Sequence, residues 1–165
     1  MIKIAAMIGA PDLTQETLAV YCGDLATAFG KVARLGYDGV ELMMRNPAQL
    51  NTGEIRRWLQ DNHLELVGLC TGHVYGEDGL GLVGPDPELC RRAMTRLKMF
   101  VDFAAEFGAG TLVNIGRSRG PGFPGDKART LARMTEAFQE LADYAEPYGV
   151  RLVLEPINVH QVSTI

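Results

Sequence analysis

The sequence predicts an α/β protein with a parallel sheet, and more particularly a (β/α)8 barrel of which about five strands and four helices are present. Three observations carry this. Short β-rich runs alternate with amphipathic helical stretches, and no tight-turn signal joins successive runs as a hairpin. The runs begin near residues 2, 38, 65, 111 and 151, a mean step of about 37 residues. Alternation alone leaves a doubly wound sheet open. Eight such steps take roughly 300 residues, the scale of a barrel, whereas this chain has 165. Residues 1–165 are therefore read as a single domain, the N-terminal part of a barrel truncated after its fifth strand.

The first run, Ile2–Ile8, is followed by Gly9-Ala-Pro-Asp12, which is neither a dinucleotide fingerprint nor a phosphate-binding loop. Leu25, Phe29, Val32 and Leu35 then recur at helical spacing, and Gly36 stands where a left-handed cap is needed. The second run is Gly39–Met43. Ile55, Trp58 and Leu59 mark a short helix whose cap position falls on Asn62. The third run, Glu65–Cys70, leads into a glycine-rich loop, Thr71–Gly79. Leu89, Ala93, Leu97, Phe100, Val101, Ala104 and Phe107 form the stripe of a long helix ending at Gly108. Arg91, Arg92 and Arg96 fall on other faces and read as a solvated side. The fourth run is Thr111–Ile115, followed by the glycine- and proline-rich loop 116–126. A last helix carries Leu131, Met134, Phe138, Leu141 and Ala145 and ends at Gly149. Arg151–Leu154 is the fifth run. All five runs are apolar enough to be read as buried parallel strands.

Composition narrows the function classes. The chain is 47% hydrophobic and 22% charged, with a net charge of −4. An acidic chain without a basic block is not expected to bind nucleic acid or an anionic membrane. No stretch reads as a membrane span or signal peptide, so a cytoplasmic protein is expected. Cys22, Cys70 and Cys90 are odd in number and widely spaced, which suits reduced thiols. Cys70 reads as a core thiol.

In a parallel barrel the chemistry gathers at the C-terminal ends of the strands. The polar residues there are Glu41 and Arg45; Thr71, His73, Tyr75, Glu77 and Asp78; Asn114, Arg117 and Arg119; and Glu155, Asn158 and His160. Glu155 follows a run read as buried, and a buried carboxylate demands a partner. It is either a metal ligand and proton-transfer group or one half of an ion pair, for instance with Arg117. Glu41 either meets a substrate hydroxyl or ties strands together. His73 contacts substrate or sits in a lid. Arg117 and Arg119 suit an anionic or polyhydroxyl ligand, since guanidinium offers paired donors. No Ser-His-Asp or Cys-His arrangement is evident.

The stretch Leu141–Asn158, with Tyr148-Gly-Val-Arg-Leu-Val-Leu-Glu-Pro-Ile-Asn158 at its core, resembles the xylose isomerase-like barrel superfamily in its sugar (phosphate) isomerase and epimerase branch. Gly36-Tyr-Asp-Gly-Val-Glu-Leu42, the loop Thr71–Leu80 and Asn114-Ile-Gly-Arg-Ser-Arg-Gly120 are similar to the same group. The resemblance implies proton transfer through a cis-enediolate and one divalent ion, Mn2+, Mg2+ or Co2+. Its ligands are Glu, Asp, His and Glu on the fifth to eighth strands, of which only Glu155 lies in this chain. It further implies a small sugar or sugar phosphate as substrate, contacted by residues such as His73, Asn114, Arg117, Asn158 and Glu41, and a homodimer. Endonuclease IV, another member of that superfamily, places histidines on the third and fourth strands, and the fourth here has none. A non-catalytic half-barrel completed by association, and a dehydratase or lyase on the same scaffold, are the competing readings.

Overall fold

The computed structural model describes residues 2–14 and 18–157. The sheet runs β1 (Ala5–Gly9), β2 (Tyr21–Cys22), β3 (Gly39–Met43), β4 (Glu65–Cys70), β5 (Leu112–Ile115) and β6 (Arg151–Leu154). Its spatial order is β2-β1-β3-β4-β5-β6, and every pairing is parallel. The helices are α1 (Leu25–Arg34), α2 (Thr52–Asp61), α3 (Gly72–Gly76), α4 (Pro87–Ala105) and α5 (Lys127–Ala145). This is an α/β fold forming part of a barrel, as the alternation predicts.

The core lies between the sheet and its helices. Ile8, Val40, Leu42, Leu69, Val113 and Ile115 are buried on one sheet face against Phe29, Val32, Leu97, Phe100 and Leu141 of the helices. Alternation sends the intervening residues to the other face, the inside of the barrel. Glu41 pairs with Met7 and Gly68, and Asn114 with Cys70 and Val153, so these six share that inner face. Four of the five helices, all but α3, start on side-chain caps: Asp24, Asn51, Asp86 and Asp126 each accept a backbone N–H from the first turn.

Several expectations are corrected. There are six strands among the described residues, because the two-residue β2 is too short to show a periodicity. It is held on the β1 edge by Val20 N–H to the Met7 carbonyl at 2.9 Å and Gly23 N–H to the Gly9 carbonyl at 3.2 Å. There are five α-helices among the described residues, because part of the Thr71–Gly79 stretch coils into α3 instead of remaining a loop. β1 starts at Ala5, and Ile2 and Ile4 are exposed. β6 is not a buried strand: Val153 is 38% and Leu154 51% exposed. Leu35 and Leu131 lie at the ends of their stripes and face outward. Gly36, Gly108 and Gly149 have φ of 84°, 101° and 65° as expected, but after α2 the left-handed residue is His63 (φ 54°), not Asn62. Arg96 is not part of a solvated face. Its Nη1 donates to the Arg45 carbonyl at 2.7 Å and to Asp78 Oδ2 at 2.9 Å.

Candidate active site

The inner face of the sheet brings three of the sequence-predicted residues together, although Glu41 is the middle residue of β3 and not at its end. Asn114, on β5, donates from Nδ2 to Glu41 Oε1 of β3 at 3.2 Å and to Glu155 Oε2, just after β6, at 3.3 Å. One amide thus spans two carboxylates. Gly116 leaves room for the Glu155 carboxylate, since a Cβ there would come within 2.8 Å of Oε2. Burial pushes the Glu41 carboxyl above its usual range; the Asn114 amide pulls it back and the Glu155 charge adds to the rise. Asn114 Oδ1 is buried without a hydrogen-bond partner among the described residues.

Glu155 is exposed, because β6 at the sheet edge is open on its inner side. The ion pair with Arg117, the alternative role for Glu155, does not form. Instead Arg119, 5% exposed, donates from Nη1 to the Glu155 backbone carbonyl at 3.3 Å. The end of β6 is thereby pinned from below, and burial lowers the proton affinity of Arg119. The turn that carries these arginines is ordered. Leu82 N–H donates to the Ser118 carbonyl at 3.0 Å and Val83 N–H to the Arg119 carbonyl at 2.9 Å. The hydroxyls of Thr71 and Ser118 are 2.5 Å apart. Gly120 (φ 88°) meets the Val83 carbonyl so closely that no Cβ fits.

His73 is buried in α3. Its Nδ1 lies 2.8 Å from Glu77 Oε1. Glu77, with a side chain 2% exposed, also accepts from Thr14 N–H at 3.0 Å, the Thr14 hydroxyl at 2.5 Å and Arg45 Nη1 at 3.2 Å. Asp12 Oδ2 accepts from the backbone N–H groups of Arg45 and Asn46 at 3.0 and 2.7 Å. The loops after β1, β3 and β4 are thus knitted by one polar network. Sequence reading placed Arg45, Glu77 and Asp78 at the mouth but missed Asp12, Thr14 and Arg96 as members. Nothing in their local pattern points to it, whereas Gly116, a glycine directly after β5, was a usable signal. Asn158 and His160 lie outside the described residues. Cys70 is buried on the inner face, and burial pushes its thiol up to about 12, which keeps it an inert core group.

Among the described residues no group of three or more His, Cys, Asp or Glu side chains comes together to hold a metal ion. Glu155 is one exposed hard-oxygen donor of the kind Mn2+ or Mg2+ takes. The described residues fit one ligand of such a site and do not complete it. No helix among them is long and apolar enough to cross a membrane.

The family model described as xylose isomerase-like TIM barrel matches residues 29–165. The chain is 27% identical over 146 residues to the fructoselysine 3-epimerase of Shigella flexneri, an alignment covering 84% of this chain and 51% of that protein. A D-allulose 3-epimerase from Methylomonas sp., solved in complex with D-allulose, superposes with a TM-score of 0.65 at 22% identity, over 95% of this chain and 53% of that one. An AP endonuclease, family 2, from Brucella melitensis superposes with a TM-score of 0.67 at 16% identity, over 97% of this chain and 57% of that one. These two structures, of differently named proteins, carry the fold alone. The chain spans about half the length of the curated relative it matches. On the family match, the parallel sheet and the superpositions together, the chain belongs to the xylose isomerase-like TIM barrel family.

Proposed function

We propose that these residues form the N-terminal half of the active site of a sugar isomerase or epimerase, and more finely a ketose 3-epimerase, within a barrel-length protein. The observation that carries the reading is the Asn114 amide spanning Glu41 and Glu155 at the mouth of the sheet. Epimerisation beside a ketose carbonyl requires a carboxylate held at the reacting carbon to take a proton, and a partner beyond these residues to return one on the other face. Glu155 is exposed and oriented, so it takes the proton-transfer role. Asn114 fixes its carboxylate through one oxygen and leaves the other for the substrate. Glu41 accepts a hydrogen bond from a sugar hydroxyl. His73, its Nδ1 held by Glu77, offers Nε2 to a second hydroxyl. The relatives named as fructoselysine 3-epimerase and D-allulose 3-epimerase support a ketose as the substrate.

The reading includes a divalent ion, Mn2+, Mg2+ or Co2+, with Glu155 as one ligand. Such an ion, when bound, supplies charge stabilisation at the substrate oxygens. The test is Glu155→Gln in a barrel-length protein carrying these residues. Turnover of a ketose should fall by about 10²–10⁴-fold, with the thermal midpoint little changed because the side chain is exposed. Turnover within a few-fold of the parent would remove Glu155 from the chemistry.

A further inference from the structure

The ion pairs among the described residues engage Arg45, Arg56, Arg91, Arg96 and Arg133, but neither Arg117 nor Arg119. Both guanidinium groups carry an Nε that is buried with no acceptor. Arg119 at least reaches the Glu155 carbonyl. The terminal nitrogens of Arg117 have no acceptor among the described residues, and the side chain is partly exposed. The guanidinium fork has a fixed seat. A Cβ on Gly76 would stand 3.2 Å from Arg117 Nη1, 3.5 Å from Cζ and 3.7 Å from Nη2, so the whole guanidinium lies against the glycine of α3. His73 precedes Gly76 by three residues on the same helix, a spacing that shares a face. The turn beneath is braced by the Ser118, Arg119 and Gly120 contacts already described. A guanidinium with a buried, unpaired Nε and no ion-pair partner is costly to hold in a folded chain, and an incoming anion relieves that cost.

We infer that Arg117 is a receptor for an acidic group, a phosphate or a carboxylate, carried by the substrate, so that the enzyme takes an acidic ketose in preference to a neutral one. The planar fork matches either group through two parallel N–H···O bonds. His73 holds a hydroxyl of the same molecule one helical turn away. The inference rests on the ketose reading for the sugar portion only.

The test is calorimetric titration of this chain with D-fructose, D-fructose 6-phosphate and 2-keto-D-gluconate, with inorganic phosphate as competitor. At least one acidic probe should bind about tenfold or more tighter than D-fructose, and its affinity should fall with added salt. Which acidic probe wins identifies phosphate or carboxylate. Arg117→Met should erase the preference, Arg117→Lys should keep part of it as a point charge, and Arg91→Met, remote on α4, should leave it intact. Gly76→Ala gives a second route to the same answer. It favours the helix but displaces the fork, so it should weaken the acidic probe several-fold while the thermal transition is kept. Equal binding of neutral and acidic probes, no binding of any probe, or a preference that survives both Arg117→Met and Gly76→Ala would overturn the inference. Glu155→Gln should not erase the preference, since it removes a negative charge and leaves Arg117 in place, so a failure of the proposed catalysis is told apart from a failure here.

Discussion

Asn114 holds two carboxylates that would otherwise repel each other across the inner face, and Glu41 bears the cost. Its folded-state carboxyl sits above the usual range, chiefly from burial. The folded protein therefore binds that proton more tightly than the unfolded chain does. Above both pKa values the ionised side chain costs stability; as pH falls through the folded value to below the unfolded one, the cost disappears. Glu41→Gln should raise the thermal midpoint at pH 7, and the gain should shrink towards pH 4. Equal midpoints at both values would mean that the side chain is better solvated than the geometry implies. At this scale the sequence was legible where position alone decided. Asn114 and Glu155 stand at the C-terminal ends of their strands, where side chains converge, while Glu41 is the middle residue of β3 and meets Asn114 on the inner face. Their individual partners were not legible. That Glu155 meets Asn114 rather than Arg117 is a matter of tertiary packing, in which the bare Gly116 lets the carboxylate lie close to the backbone.

Among the elements, glycine caps were readable because a left-handed residue is a local demand. Gly36, Gly108 and Gly149 meet it. After α2 the demand falls one residue later than Asn62, since the Asn62 side chain turns back to donate to the Trp58 carbonyl at 2.8 Å and stays within the cap. His63 takes the positive φ with an exposed side chain, so little packing is lost on removing it. His63→Gly should stabilise the protein by about 0.5 kcal/mol, the relief of the left-handed clash less the added freedom of the unfolded chain. Gly149→Ala should do the reverse, by about 1–2 kcal/mol, and its new Cβ would also press on Ala109 at 3.2 Å. Urea unfolding of the two variants checks the pair, and a loss of stability in His63→Gly would contradict the assignment. β2 and α3 escaped sequence reading for a common reason. At two and five residues they are shorter than the repeat that reveals an element.

Over the whole molecule, the parallel order of the sheet follows from alternation and from connections long enough to hold a helix. The extent of burial does not follow from the strand's own residues. Arg151–Leu154 is apolar enough for a buried strand, yet Val153 and Leu154 are half-exposed because burial is set by what lies opposite. The same holds for the chemistry: Glu155 is presented at the mouth by β6, Gly116, Asn114 and Arg119, while its partners in proton transfer belong to the other half of the proposed barrel. The most direct measurement is proton NMR of a ketose in D2O with the metal-loaded barrel-length protein, following the hydrogen on the carbon beside the carbonyl. Exchange of that hydrogen for deuterium, abolished by Glu155→Gln, is the predicted result. Exchange that persists undiminished in Glu155→Gln, or a ketose turned over with that hydrogen fully retained, would contradict the account.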